Sequence, residues 1–184
     1  IDSGATLALS GGGSIAASRD VIDNGTLDMS SLTANVSLIS LSGNGAVTLG
    51  VRNLTLTAAS GDFGGVISGS GGVTVAGGTE TLSGANTYTG ATTVDSGAGL
   101  VLTGSVAGDV SNGGNTTIRG GTVAGGVDNS GSLSLDGGTV GGSVNNSGSL
   151  AVSSNGASVG SLTGSGNAAL SGDLTLTDAS GSYS

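Results

Sequence analysis

Aliphatic residues recur in pairs separated by one small or polar residue along the whole chain: Leu7 and Leu9, Val47 and Leu49, Val73 and Val75, Leu100 and Leu102, Leu133 and Leu135, Leu150 and Val152. A spacing of two is the period of a strand, whose alternate side chains leave opposite faces, and frequent Gly disfavours helix throughout. Taking the aliphatic that opens each variant of VDNSGSLSL as an anchor gives Ile1, Ile22, Leu41, Ile67, Val94, Val110, Val127, Val144 and Leu162. These anchors lie 21, 19, 26, 27, 16, 17, 17 and 18 residues apart. The pair falls six and eight residues after each anchor, with Thr116 and Ile118, and Ala168 and Leu170, in the same offsets. Only the unit at Ile22 slips by one, to Leu27 and Met29. A Gly three or four residues after the anchor supplies the turn.

A further aliphatic twelve or thirteen residues on (Val106, Val123, Val140, then Ala157) makes about three short strands per unit. Units of this size, with Gly-rich corners, predict a coil whose turns stack through parallel ladders about 4.8 Å apart. The expected fold is all-β, a β-solenoid of about nine rungs of 16–27 residues. One rung buries too few side chains to stand alone, so stability belongs to neighbouring rungs together. Residues 1–184 read as a single solenoid, irregular and long-runged over 1–93 and regular over 94–184, where rungs take 16–18 residues. Asn112, Asn129 and Asn146 share one offset, and Asn24 matches it from an earlier rung, so a partial Asn ladder along a corner is expected. The closing DASGSYS reads as the start of another rung.

Composition narrows the chemistry. Gly and Ser at this density suit a flexible linker, but 35% of the chain is hydrophobic and spread evenly, which a linker is not. Three Arg (Arg19, Arg52, Arg119) and no Lys stand against 12 acidic residues, so phosphate neutralisation has almost nothing to work with and nucleic acid is not an expected partner. Without Cys or His there are no disulfides, thiol nucleophiles, Ser/His/Asp triads or usual transition-metal sites. The chain opens on Ile and reads as a piece of a larger one.

The acidic residues do not form the GGxGxDxUx calcium repeat. Asp2, Asp23, Asp95 and Asp128 each follow an anchor directly, where alternation turns them outward as solvated corner residues. A carbohydrate-active β-helix needs paired carboxylates beside a basic group, and Asp62, Phe63, Asp20 and Arg19 are the closest approach to such a surface. Thr pairs such as Thr55/Thr57, Thr92/Thr93, Thr116/Thr117 and Thr175/Thr177 do not share one register, which argues against a flat Thr face. No catalytic residue, cofactor site or metal site is assigned, and the chain is not expected to be an enzyme.

One phrase is specific. Leu82 to Val94, LSGANTYTGATTV, resembles the autotransporter-associated β-strand repeat, through Leu82, Gly84, Asn86, Tyr88, Gly90, Thr92 and Val94 together with Ser83, Ala85, Thr87, Thr89 and Thr93. It departs from the common pattern at Ala91, Asp95 and Ala98 to Leu100. The resemblance implies a passenger domain of a type V secreted protein, built as a right-handed, three-sided parallel β-helix. It implies export through the outer membrane by a C-terminal β-barrel translocator, and a secreted or surface-displayed location. It also implies a stalk or adhesin role in cell adhesion, aggregation, biofilm formation and virulence, with a part in passenger folding during export. The implied partners are host-cell or neighbouring-cell surface molecules, or further copies of the chain through Asn and Thr ranks on a side face. A β-helical carbohydrate-active enzyme is the alternative. The phrase itself is expected to be an insertion between Ile67 and Val94, joining the looser half to the regular one.

Overall fold

A strand of three residues exposes its backbone edges and covers little apolar surface, so each short triplet is stable only when the equivalent triplet of the next coil lies against it. A computed structural model, describing residues 1–178 and 181–184, shows this stacking throughout. The chain forms a right-handed parallel β-helix of about ten turns. No helix occurs among the described residues.

Each coil has three faces. Face A begins with Thr6–Gly11, Thr26–Leu32, Ala46–Thr48 and Val66–Ser68, which pair in parallel register. It continues through Ser105–Val106 and Thr122–Val123. Face B stacks Val36–Leu38, Leu54–Leu56, Val73–Val75, Thr92–Val94, Val110–Asn112 and Val127–Asn129. Face C carries Val21–Ile22 on Leu41–Ser42, then Asp62–Phe63, Thr79–Leu82, Gly99–Leu102, Asn115–Arg119, Ser132–Asp136, Ser149–Ser154 and Asn167–Leu170. The long strands Thr139–Asn146 and Ala157–Gly164 run round the corner between A and B, which joins the two faces into one sheet.

This register corrects the sequence reading. Leu7 and Leu9, with Val47 and Leu49, belong to face A; Val73 and Val75 belong to face B; Leu100 and Leu102 begin the run of pairs on face C. The expected 26- and 27-residue rungs arose from stepping between faces that share one pattern. Followed on face C alone, the stacked positions Val21, Leu41, Gly61, Glu80, Leu100, Thr116, Leu133, Leu150 and Ala168 lie 20, 20, 19, 20, 16, 17, 17 and 18 residues apart. A longer-coiled first half and a compact second half therefore exist, but the difference is a few residues per coil.

Most of those extra residues sit between faces A and B, and the rest between B and C, where Thr92 to Leu100 takes eight residues against six from Val110 to Thr116. The step from the inward residue of A to that of B takes seven residues at Val47 to Leu54 and six at Ile67 to Val73 and Asn86 to Thr92. It falls to four at Val106 to Val110, Val123 to Val127 and Val140 to Val144. Leu49 and Tyr88 fill the wider cross-section, both fully buried. The core is one continuous aliphatic stack, from Leu9 to Val159, with Phe63 and Tyr88 as its largest side chains. Of the segment read as a further rung, Ala179 and Ser180 lie outside the described residues, while Tyr183 bridges Gly164 on face B.

Candidate functional site

The three Asn at one offset form a ladder inside the rod. On face B their side chains take the inward position that Leu38, Leu56, Val75 and Val94 occupy in earlier coils. The amide of Asn112 donates to Oδ1 of Asn129 at 2.7 Å, and that of Asn129 to Oδ1 of Asn146 at 2.6 Å. Each amide also donates across the corner to a carbonyl: Asn112 to Ser132, Asn129 to Ser149 and Asn146 to Asn167. Thr116 Oγ1 donates to Oδ1 of Asn112, and Asn146 donates to the Tyr183 hydroxyl, so both ends find partners. A buried amide stabilises only when its groups are satisfied, and here they are. Asn24 does not join: it is exposed on face C's corner, where Oδ1 accepts from the Asn44 N–H at 3.2 Å. With the ladder enclosed, these Asn are not available for association through a side face.

The Leu82 to Val94 phrase is also built inward, and it is not an insertion. It leaves face C at Leu82, crosses face A and reaches face B at Thr92–Val94, which makes it most of one ordinary coil. Asn86 lies where neighbouring coils carry the face A residues Ile67 and Val106. Its Oδ1 accepts from the Ile67 N–H at 2.9 Å, and its amide donates to the Gly84 and Ser105 carbonyls. The side chain thus replaces a strand's own hydrogen bonds. Tyr88 is fully buried, with its hydroxyl 2.5 Å from Thr92 Oγ1, and burial pushes its pKa up to about 12. Gly84 stacks where a Cβ would stand 1.9 Å from the Gly65 carbonyl oxygen, so no larger residue fits the coil spacing. Leu82 and Val94 are core residues.

Two acids are buried. Asp23, expected to face outward, points into the rod: Oδ1 accepts from the Gly25 N–H at 3.0 Å, Oδ2 has no partner, and desolvation raises its pKa against the pull of that hydrogen bond. Glu80 is fully buried with both carboxyl oxygens unpartnered. Its pKa is raised to about 8 by desolvation, opposed by the Gly61 backbone and assisted by the charge of Asp62. Alternation carried this signal, since Glu80 lies two residues before Leu82 and Asp23 two after Val21. By contrast Asp2, Asp95 and Asp128 are exposed as expected. Asp28 is held below the usual carboxylate range by the Ser30 hydroxyl and N–H.

The outward side chains are mostly small and polar, with Ile22, Val51, Leu170 and Leu176 among the exposed apolar exceptions. Face B presents one outward rank, Ser37, Thr55, Thr74, Thr93 and Ser111, continued by Asp128, Asn145 and Thr163. Thr55, Thr74 and Thr93 share this register, but Thr117 lies on face C, Thr175 on face A, and Thr92 and Thr116 are buried, so the four Thr pairs do not form one rank. A shallow depression of about 250 Å³ opens on this face among Ser111, Asp128, Asn129, Ser130, Asn145 and Ser147. A second, of about 210 Å³, lies between Gly11 to Ser14 and Leu32 to Ser37, with no charged side chain in its wall. Phe63, grouped with Asp62, Asp20 and Arg19 as a possible surface, is fully buried and cannot serve as a platform. Asp62 instead accepts a 2.6 Å hydrogen bond from Ser83 one coil on. Among the described residues no cluster of three or more His, Cys, Asp or Glu could hold a metal ion.

These features define a β-solenoid rod whose specific polar side chains tie one coil to the next. Comparison with family models, with curated proteins and with solved structures found no match.

Proposed function

We propose that this chain is a passenger segment of an autotransporter, displayed on or released from a bacterial surface, where it acts as a rigid stalk and adhesin. The reading rests on one observation above others: the motif residues Leu82, Asn86, Tyr88, Thr92 and Val94 are all buried inside the rod, and Asn86 hydrogen-bonds to the coils on both sides of it. Side chains used that way confer rigidity and directional growth, which suit a stalk that folds coil by coil as it emerges from a translocator. The long ladder-bonded stack also leaves few loose segments for proteolysis. The outward Ser, Thr, Asn and Asp of face B supply the surface for contact with neighbouring or host cells. A carbohydrate-active enzyme draws no support from either depression, since neither brings two carboxylates together with a basic group.

Residues 1–184 displayed ahead of an outer-membrane β-barrel test the proposal against cells displaying the barrel alone. Increased surface adhesion, sedimentation or biofilm mass, together with resistance of the displayed rod to protease, is the expected result. Equal adhesion and clumping in the two strains overturn the adhesive role, and rapid proteolysis overturns the stalk.

A further inference from the structure

The inward column of face C runs Leu41, Gly61, Glu80, Leu100, so a carboxyl group stands in line with aliphatic side chains. Gly61 makes room for it. A Cβ at that position would stand 1.8 Å from the Leu41 carbonyl oxygen and 3.3 Å from Oε1 of Glu80, so the coil admits no side chain there and the longer Glu80 fills the space. Placement in the core is also dictated by its own strand, because Glu80 and Leu82 lie on one side of Thr79–Leu82 and both are fully buried.

The surroundings hold nothing that favours a carboxylate strongly. Neither oxygen has a hydrogen-bond partner of good geometry, and the Gly61 backbone is the one group that favours the charged form, outweighed by desolvation. From the preceding coil the group faces Gly61 and Asp62, and Asp62 is the one charge whose field reaches it. From the following coil it faces Leu100 within Gly99–Leu102, a strand with no ionisable side chain. The chain has no Lys or His, and no Arg acts on the group. Moving an isolated carboxylate into such a site is far costlier than moving the neutral acid.

We propose that Glu80 makes the first half of the rod an acid-stabilised element, which takes up a proton from the medium as it folds and loosens as its surroundings turn alkaline. In the unfolded chain the group is a solvated carboxylate at neutral pH; in the rod it is a carboxylic acid. The proton comes from solvent on folding and returns to solvent on unfolding. With the folded pKa raised, the contribution is full below the ordinary glutamate value of 4.5 and is lost progressively up to about 8, beyond which it stays lost. Asp23, raised in the same direction, adds to the slope at its lower end. Asp28, shifted the other way, opposes both only in stronger acid. For an exported rod the consequence is a fold that holds best in mildly acidic surroundings.

Urea unfolding across pH 4.5 to 9, on the wild-type chain, Glu80→Gln and an outward control Asp128→Asn, decides the matter. The wild-type unfolding constant rises by up to about tenfold per pH unit in the window for one proton released. Asp128→Asn keeps that slope and Glu80→Gln flattens it, leaving the weaker Asp23 contribution. An unchanged slope in Glu80→Gln overturns the proposal. Should that variant fail to fold, infrared spectroscopy of the wild type gives the answer: a protonated-carboxyl band present at neutral pH and lost near pH 8 supports it, and its absence at neutral pH overturns it.

Discussion

Asn129 donates its side-chain amide 2.6 Å to Oδ1 of Asn146, seventeen residues on and one coil away, while accepting from Asn112 on its other side. Replacing it with Ala removes both rungs of this ladder and the amide's bond to the Ser149 carbonyl. Buried groups left without partners cost about 1–3 kcal/mol apiece. Asn129→Ala is expected to lower unfolding free energy by about 3 kcal/mol or more, read from urea denaturation.

Asn86→Ala tests the motif directly. The variant leaves the Ile67 N–H and the Gly84 and Ser105 carbonyls without the bonds that the side chain makes. Hydrogen exchange at the Ile67 amide is expected to accelerate at least about tenfold, with a loss of about 2–4 kcal/mol overall. Unchanged exchange at Ile67 removes the strand-replacing role.

Leu133 and Leu135 are fully buried on face C, paired with Leu150 and Val152. Substituting either with Asp places an unpaired charge in a stack in which each coil depends on its neighbours. A loss of more than about 4 kcal/mol is expected, seen as reduced strand signal in circular dichroism and a lower Tm.

Two glycines make a contrast. Gly84→Ala drives a Cβ to 1.9 Å from the Gly65 carbonyl oxygen, whereas Gly12→Ala meets nothing within 4 Å. The first is expected to cost about 2–3 kcal/mol and the second to stay within about 0.5 kcal/mol, measured by thermal unfolding.

Arg119 pairs with Asp136 at 3.2 Å, but its side chain is 64% exposed. Solvent screening leaves such a pair little net worth, so Arg119→Ala is expected to change stability by less than about 0.5 kcal/mol. A larger loss, persisting in high salt, would point to packing by the Arg stem.

The inward Asn trio was readable because three coils of nearly equal length put Asn at one offset, and a repeated offset in a solenoid is a repeated place. The contacts of Asn86 carried no such signal, since its partners Ile67 and Ser105 are nineteen residues away on either side. Asp23 was misread for a different reason, and Glu80 was not singled out. Turn preference and charge argue for exposure, while alternation with Val21 and Leu82 argues for burial, and the backbone period prevailed.

By itself the sequence determined the all-β character, the parallel stacking and the approximate coil length. A two-residue period interrupted by Gly allows little else, and its repetition demands neighbours. What only the tertiary structure decided is which face each triplet occupies, and therefore which residues stack. All three faces carry the same aliphatic, polar, aliphatic pattern, so local periodicity cannot tell one from another. The choice is made when coils close against each other, where Gly61, Gly65 and Gly84 admit close backbone approach and a slip to another face would separate Asn129 from Asn146.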